Sequence, residues 1–191
     1  MIVNCGDTGI PAGTTAITIP TLAGEVIADE LVPFGDTESP RRGEPIAAKG
    51  TVQIRVVRTH LGTLDFYCRI TALSSRFPVK HIEWNWEGPP GPLHADYALD
   101  GLGHANPSSV SRGCARSATP GQELTALTFA FPDRGGPAPT RFLYFRTDAR
   151  DFQRAAALTL VGPEAVITDP TDPIGYDEWG VTGVDAFVPR Y

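Results

Sequence analysis

The chain is poor in lysine, methionine and cysteine: among 191 residues, lysine occurs only at Lys49 and Lys80, methionine only at Met1, and cysteine at Cys5, Cys68 and Cys114. Positive charge is therefore almost all arginine, and 16 basic against 22 acidic side chains leave a net charge of −6. A surface built to neutralise phosphates needs the opposite balance, which argues against nucleic acid as a partner. No apolar run approaches the roughly 18 residues that a membrane span requires. Residues 1–25 also lack the basic segment followed by an apolar one that marks a leader. The odd cysteine count, with no Cys-x-x-Cys pair and no zinc-type Cys/His spacing, argues against a zinc site. In an oxidising compartment Cys5–Cys114 is the pairing to consider, because both lie in glycine-rich, loop-like surroundings while Cys68 lies inside a strand pattern.

What the chain has in excess is turn-formers, with 20 glycines and 18 prolines. Hydrophobic residues make up 41% and charged residues 20%, which fits a folded domain rather than a disordered chain. The dominant periodicity is two. Val52, Ile54 and Val56 alternate with Gln53 and Arg55, and Leu64, Phe66, Cys68 and Ile70 alternate with Asp65, Tyr67 and Arg69. The two runs flank residues 59–63 as a hairpin loop. This parity predicts that Phe66 points into the core and that Asp65 and Arg69 lie on the outer face, where neutral substitutions have little effect.

Ile82, Trp84 and Trp86 share one parity, and strands also read at Leu127–Phe129–Phe131 and over residues 142–145, 156–161 and 181–188. Residues 16–19 and 26–32 are weaker strands, bracketed by prolines that suit sheet edges. Residues 148–158 are the one segment that competes as a short helix, with Asp148 as its cap. Eight or nine short strands in one chain predict an all-β domain, an antiparallel β-sandwich of jelly-roll or immunoglobulin-like type spanning residues 1–191, with 1–21 as an extended arm. A closed barrel is the alternative.

The stretches Gly50-Thr-Val-Gln-Ile-Arg-Val-Val-Arg58, Gly62-Thr-Leu-Asp-Phe-Tyr-Cys-Arg-Ile70, Ala95-Asp-Tyr-Ala-Leu-Asp-Gly-Leu-Gly103 and Phe142-Leu-Tyr-Phe-Arg-Thr-Asp-Ala149 resemble a family of exported bacterial proteins that often end in a PEP-CTERM sorting signal. The resemblance continues through residues 156–162 and 183–187. It implies an exported, β-rich domain of the cell surface or biofilm matrix, and it brings no catalytic residue with it. The sequence departs from that family in having no Pro-Glu-Pro motif, no apolar C-terminal helix and no basic tail.

Chemistry is sparse. Ser108, Ser109 and Ser111 near His104 form no nucleophile elbow, and Gly101-Leu-Gly103 lacks the context of a phosphate cradle. His94, Asp96 and His104 offer a weak set of metal ligands. Asp169, Asp172, Asp177 and Glu178 offer weak oxygen ligands for calcium without the EF-hand pattern. The parity that Trp84 and Trp86 share with Ile82 favours the core; if that face were exposed instead, Trp84, Trp86 and Tyr97 would make a ligand-binding strip, and Trp179 is a separate loop aromatic. No cofactor is called for. The expected function is therefore that of a non-enzymatic structural or adhesive surface protein, with a cell-surface polymer or polysaccharide as one partner. Self-association through edge strands or terminal segments is another route, against which the favoured reading is that the termini pair within their own domain. A carbohydrate-binding module is the alternative.

Overall fold

Among the described residues, two six-stranded antiparallel sheets pack face to face as a sandwich, with no closed barrel. The computed structural model describes residues 1–19, 22–35, 48–74, 78–101, 103–132, 139–162 and 180–191. In chain order the strands are β1 (Ile2–Val3), β2 (Thr8–Gly9), β3 (Glu25–Phe34), β4 (Lys49–Arg58), β5 (Leu64–Ser74), β6 (His81–Gly88), β7 (Leu93–Tyr97), β8 (Ser109–Arg116), β9 (Glu123–Ala130), β10 (Leu143–Arg146), β11 (Asp151–Val161) and β12 (Gly180–Arg190). The first sheet runs β1-β7-β10-β5-β4-β3 and the second β12-β11-β6-β9-β8-β2.

The hairpin read from the sequence is β4–β5. Arg58 pairs with Leu64, the Thr59 amide donates to the Thr63 carbonyl at 2.9 Å, and Gly62 takes a φ of +78° that a side chain rarely adopts. Alternation then sends Val52, Ile54, Val56, Leu64, Phe66, Cys68 and Ile70 into the interlayer, where they meet Ile82, Trp84, Leu127, Phe129, Leu158 and Leu160 of the second sheet. At the centre lies Phe145. It stacks on Phe66 at 5.1 Å and on Trp86 at 4.4 Å, and meets Trp84 edge-on at 4.9 Å.

Three local expectations are corrected. Residues 148–158 are not helical: β11 occupies Asp151–Val161, paired on one side with β12 and over Leu158–Val161 with β6, so tertiary pairing overrides the helix propensity of Ala155, Ala156 and Ala157. Residues 16–19 make a turn, with the Thr18 and Ile19 amides donating to the Thr15 carbonyl. Cys114 lies in β8 rather than in a loop.

The terminal segments pair within their own domain. β1 joins the first sheet beside β7, the chain turns over residues 4–7, and β2 joins the second sheet beside β8, so the N-terminal segment crosses from one layer to the other. A Cys5–Cys114 disulfide fastens this crossing. On the opposite side β12 packs near β3, and Arg154 spans the layers by ion pairs to Glu30 at 2.8 Å and Asp185 at 3.1 Å. Pro33 and Pro189 sit in these two edge strands, where the loss of an amide donor blunts pairing with other chains.

Phe66→Ala is expected to cost about 3–5 kcal/mol, the usual range for deleting a fully buried ring, measured by urea denaturation; a loss below about 1 kcal/mol would contradict its place at the stack. Joint replacement of Cys5 and Cys114 by serine is expected to lower stability by roughly 2–5 kcal/mol. An unchanged denaturation midpoint, with or without reductant, would rule out the crossing as a stabilising clamp.

Candidate functional site

The outer face of the first sheet is where the structure concentrates buried polar groups. Because Phe145 points inward, its neighbours Tyr144 and Arg146 point outward, and the register aligns Tyr144 with Tyr67 and Asp96, and Arg146 with Asp65 and His94. Tyr67 and Tyr144 stack at 5.3 Å, and His94 lies over Tyr144 at 6.2 Å.

This face is covered rather than open. Thr14 bridges to Ala98, the Gly13 amide donates to Asp96 Oδ1 at 2.9 Å, the Thr14 hydroxyl donates to Asp96 Oδ2 at 3.1 Å, and Leu22 packs on the cluster of Val57, Tyr67, Ala98, Phe142 and Tyr144. Gly13 is required here: its φ is +75°, and a Cβ would stand 2.6 Å from the Tyr97 ring.

Asp65, expected on a solvated face, is corrected by this cover. It does lie on the outer face but is fully buried, held by Arg146 with Nε 3.4 Å from Oδ1 and 3.2 Å from Oδ2. Burial pushes its carboxyl up to about 6, against the pull of Arg146 in the other direction. His94 moves the opposite way, down to about 4, through burial first and then the positive charges of the Met1 ammonium and Arg146; its Nδ1 is buried without a partner. Burial likewise raises the Tyr144 phenol to about 12. Arg69 keeps its predicted face, with its guanidinium 4.6 Å above the Phe142 ring.

Beside this cluster a cleft of about 540 Å³ opens at the end of the sandwich, lined by residues that include Trp86, Pro90, His94, Arg112, Arg146 and Tyr191. Arg112 faces the interlayer. It is 3% exposed, pairs with Glu123 Oε1 at 2.5 Å, and donates from Nη1 to the Gly91 carbonyl, which anchors the proline-rich loop at the rim of the cleft. Glu123 in turn lies 3.5 Å from the sulfurs of both Cys5 and Cys114, so the rim, the charge pair and the disulfide form one connected end.

The core placement that parity favours for Trp84 and Trp86 is the one observed, and the alternative of an exposed aromatic strip is corrected. Trp84, Trp86 and Tyr97 are 0%, 7% and 7% exposed and belong to the core, because the parity they share points them between the sheets. Trp86 alone also reaches the cleft. His94 and Asp96 do share the outer face of β7, but His104 is not brought to them. Among the described residues the one group of three ligand atoms within 4.8 Å is Cys5, Cys114 and Glu123, and its sulfurs are joined to each other. Ser109 and Ser111 lie in β8. Trp179 and the acidic Asp169, Asp172, Asp177 and Glu178 fall outside the described residues.

Tyr144, Arg146 and Arg112 were not singled out by sequence reasoning, which reads Asp65 only as a solvated position on the outer face. The signal available was the matched alternation Asp65/Tyr67 and Tyr144/Arg146, which becomes a cluster only once β5 and β10 are known to be partners. Comparison with protein-family models, with curated proteins and with solved structures found no match.

Asp65 and His94 have opposing effects on stability. A carboxyl whose folded pKa is raised makes the native state bind more protons than the unfolded one, so its contribution falls as pH rises from about 4 to 6. An imidazole whose folded pKa is lowered does the reverse, and its contribution grows as pH rises from about 4 to 6.5. Asp65→Asn should therefore leave a stability that climbs over this window, and His94→Gln one that declines. Urea titrations at stepped pH read both slopes, and variant profiles parallel to that of the parent would refute the assignment.

Proposed function

We propose that the chain is a non-enzymatic, extracytoplasmic surface protein that acts by contact, as an adhesive or structural domain. The observation that carries this reading is the connected end of the sandwich, where a disulfide-fastened crossing, a buried ion pair and a proline rim hold a concave cleft in place. The Cys5–Cys114 bond is compatible with an oxidising, extracytoplasmic location, and no helix among the described residues is long and apolar enough to cross a membrane. The resemblance to exported PEP-CTERM-type proteins points the same way. A rigid cleft on a cross-linked sandwich is suited to holding an extracellular polymer, and the aromatic, proline and arginine side chains along it supply stacking surface and hydrogen-bond donors.

Self-association is the second reading. It is favoured by β3, an edge strand of ten residues on which Val26 and Leu31 are 49% and 65% exposed. The terminal segments are engaged within the domain, so a neighbouring copy would add at the proline-free stretches of β3 or β12, away from Pro33 and Pro189.

Co-sedimentation of the oxidised full chain with insoluble extracellular polysaccharide tests the main reading. The expected outcome is retention without release of soluble reducing ends. Failure to sediment with any polymer preparation, or release of reducing ends on incubation, would overturn it. Light scattering on the same sample reads self-association, which predicts a mass that rises with concentration and falls in Leu31→Lys.

A further inference from the structure

We infer that the end cleft is a binding site for a carboxylate-bearing sugar unit, a hexuronate of an acidic polysaccharide, with Arg146 as the residue that takes the carboxylate. The inference rests on the contact reading above and names the chemistry that the contact uses.

Among the described residues of the cleft, Arg146 is the arginine whose terminal nitrogens are not engaged by another group. Arg112 is committed through Nη1 to Gly91 and through Nη2 to Glu123 and Thr125, so it fixes the rim. Asp65 engages Arg146 through Nε, leaving the paired terminal nitrogens to a second acceptor. Those two nitrogens form the planar fork that matches a carboxylate by two parallel hydrogen bonds, and an ammonium cannot reproduce that match. Buried Asp65 behind Arg146 holds the guanidinium in place, so little side-chain freedom is lost on binding.

The rest of the lining fits a ring bearing hydroxyls. Trp86, Tyr191 and Pro90 give apolar surface, and a volume of about 540 Å³ lies within the range of small-ligand sites. His94, kept neutral by burial, adds a hydrogen-bonding edge without a second charge. Arg112 is balanced by Glu123 and Arg146 by Asp65 through Nε, so a ligand's carboxylate would be taken by the geometry of the open guanidinium edge rather than by an excess of positive charge.

The test is isothermal titration of the oxidised full chain with trigalacturonate, its methyl ester and neutral maltotriose. Trigalacturonate is expected to bind, with the ester and maltotriose weaker by about tenfold or more, the value of one charge-assisted hydrogen-bonded pair. Arg146→Lys keeps the charge and removes the fork, and is expected to lose binding by a similar factor. The double variant Asp65→Asn/Arg146→Gln removes the buried pair together. It is expected to lose binding while near-UV circular dichroism stays native, which covers the case of a single variant that does not fold. Equal affinity for ester and acid, undiminished binding by either variant, or no binding of trigalacturonate would overturn the inference. If the chain then still sediments with a neutral polysaccharide, the contact reading stands and the hexuronate assignment falls.

Discussion

Phe145 is the residue on which the arrangement of the sandwich turns. It lies between the layers, stacked on Phe66 of its own sheet and Trp86 of the other and touched edge-on by Trp84, so four large rings share one contact. Such a stack is worth more than its buried area, because aromatic pairs add an orientational preference to the loss of apolar surface from water. It also sets direction. In a strand of four residues, fixing one inward ring fixes the outward direction of both neighbours, and Tyr144 and Arg146 are delivered to the opposite face by the same constraint that fills the core.

That opposite face is unusual for an antiparallel sandwich, in which outward positions ordinarily meet water. Gly13, Thr14 and Leu22 lie across part of it and close it, turning Asp65, Tyr67, Tyr144 and Asp96 into buried groups. The electrostatic consequence is a pair of opposed shifts, with Asp65 pushed toward its neutral acid and His94 toward its neutral base. Both follow from one cause, the cost of holding charge away from water, and Arg146 limits the first while reinforcing the second. Removing either partner of Asp65–Arg146 alone would leave a charge without compensation, whereas removing both is far less damaging.

Alternation made much of this fold legible from residues alone. Val52, Ile54 and Val56, Leu64 to Ile70, and Ile82 to Trp86 each show a period of two, and each strand lies where the period puts it, with the expected face inward. Prolines 33 and 189 fall on edge strands, as their missing donors require. What alternation cannot express is what lies over the second face. Asp65 reads as solvated because its own strand is amphipathic, and its burial depends on Thr14 and Leu22, which are distant in sequence. For the same reason the Ala155–Ala156–Ala157 run reads locally as helix while β12 holds it extended. The site was half legible: His94 and Asp96 stood out by residue type, whereas Arg112 and Arg146 look like ordinary strand arginines until register brings them to one cleft.

The functional reading inherits its order from these constraints. An inner stack orients β10, a covering segment buries the groups that β10 carries outward, and a disulfide-fastened crossing holds the rim of the cleft next to them. The central claim is the closure of the outer face, and the side-chain carboxyl of Asp65 reports it most directly. A ¹³C NMR titration of that carbon is predicted to show a midpoint at about 6. A midpoint near the ordinary value of about 3.9 would mean that the carboxyl is solvated and that the cover over the first sheet does not exist.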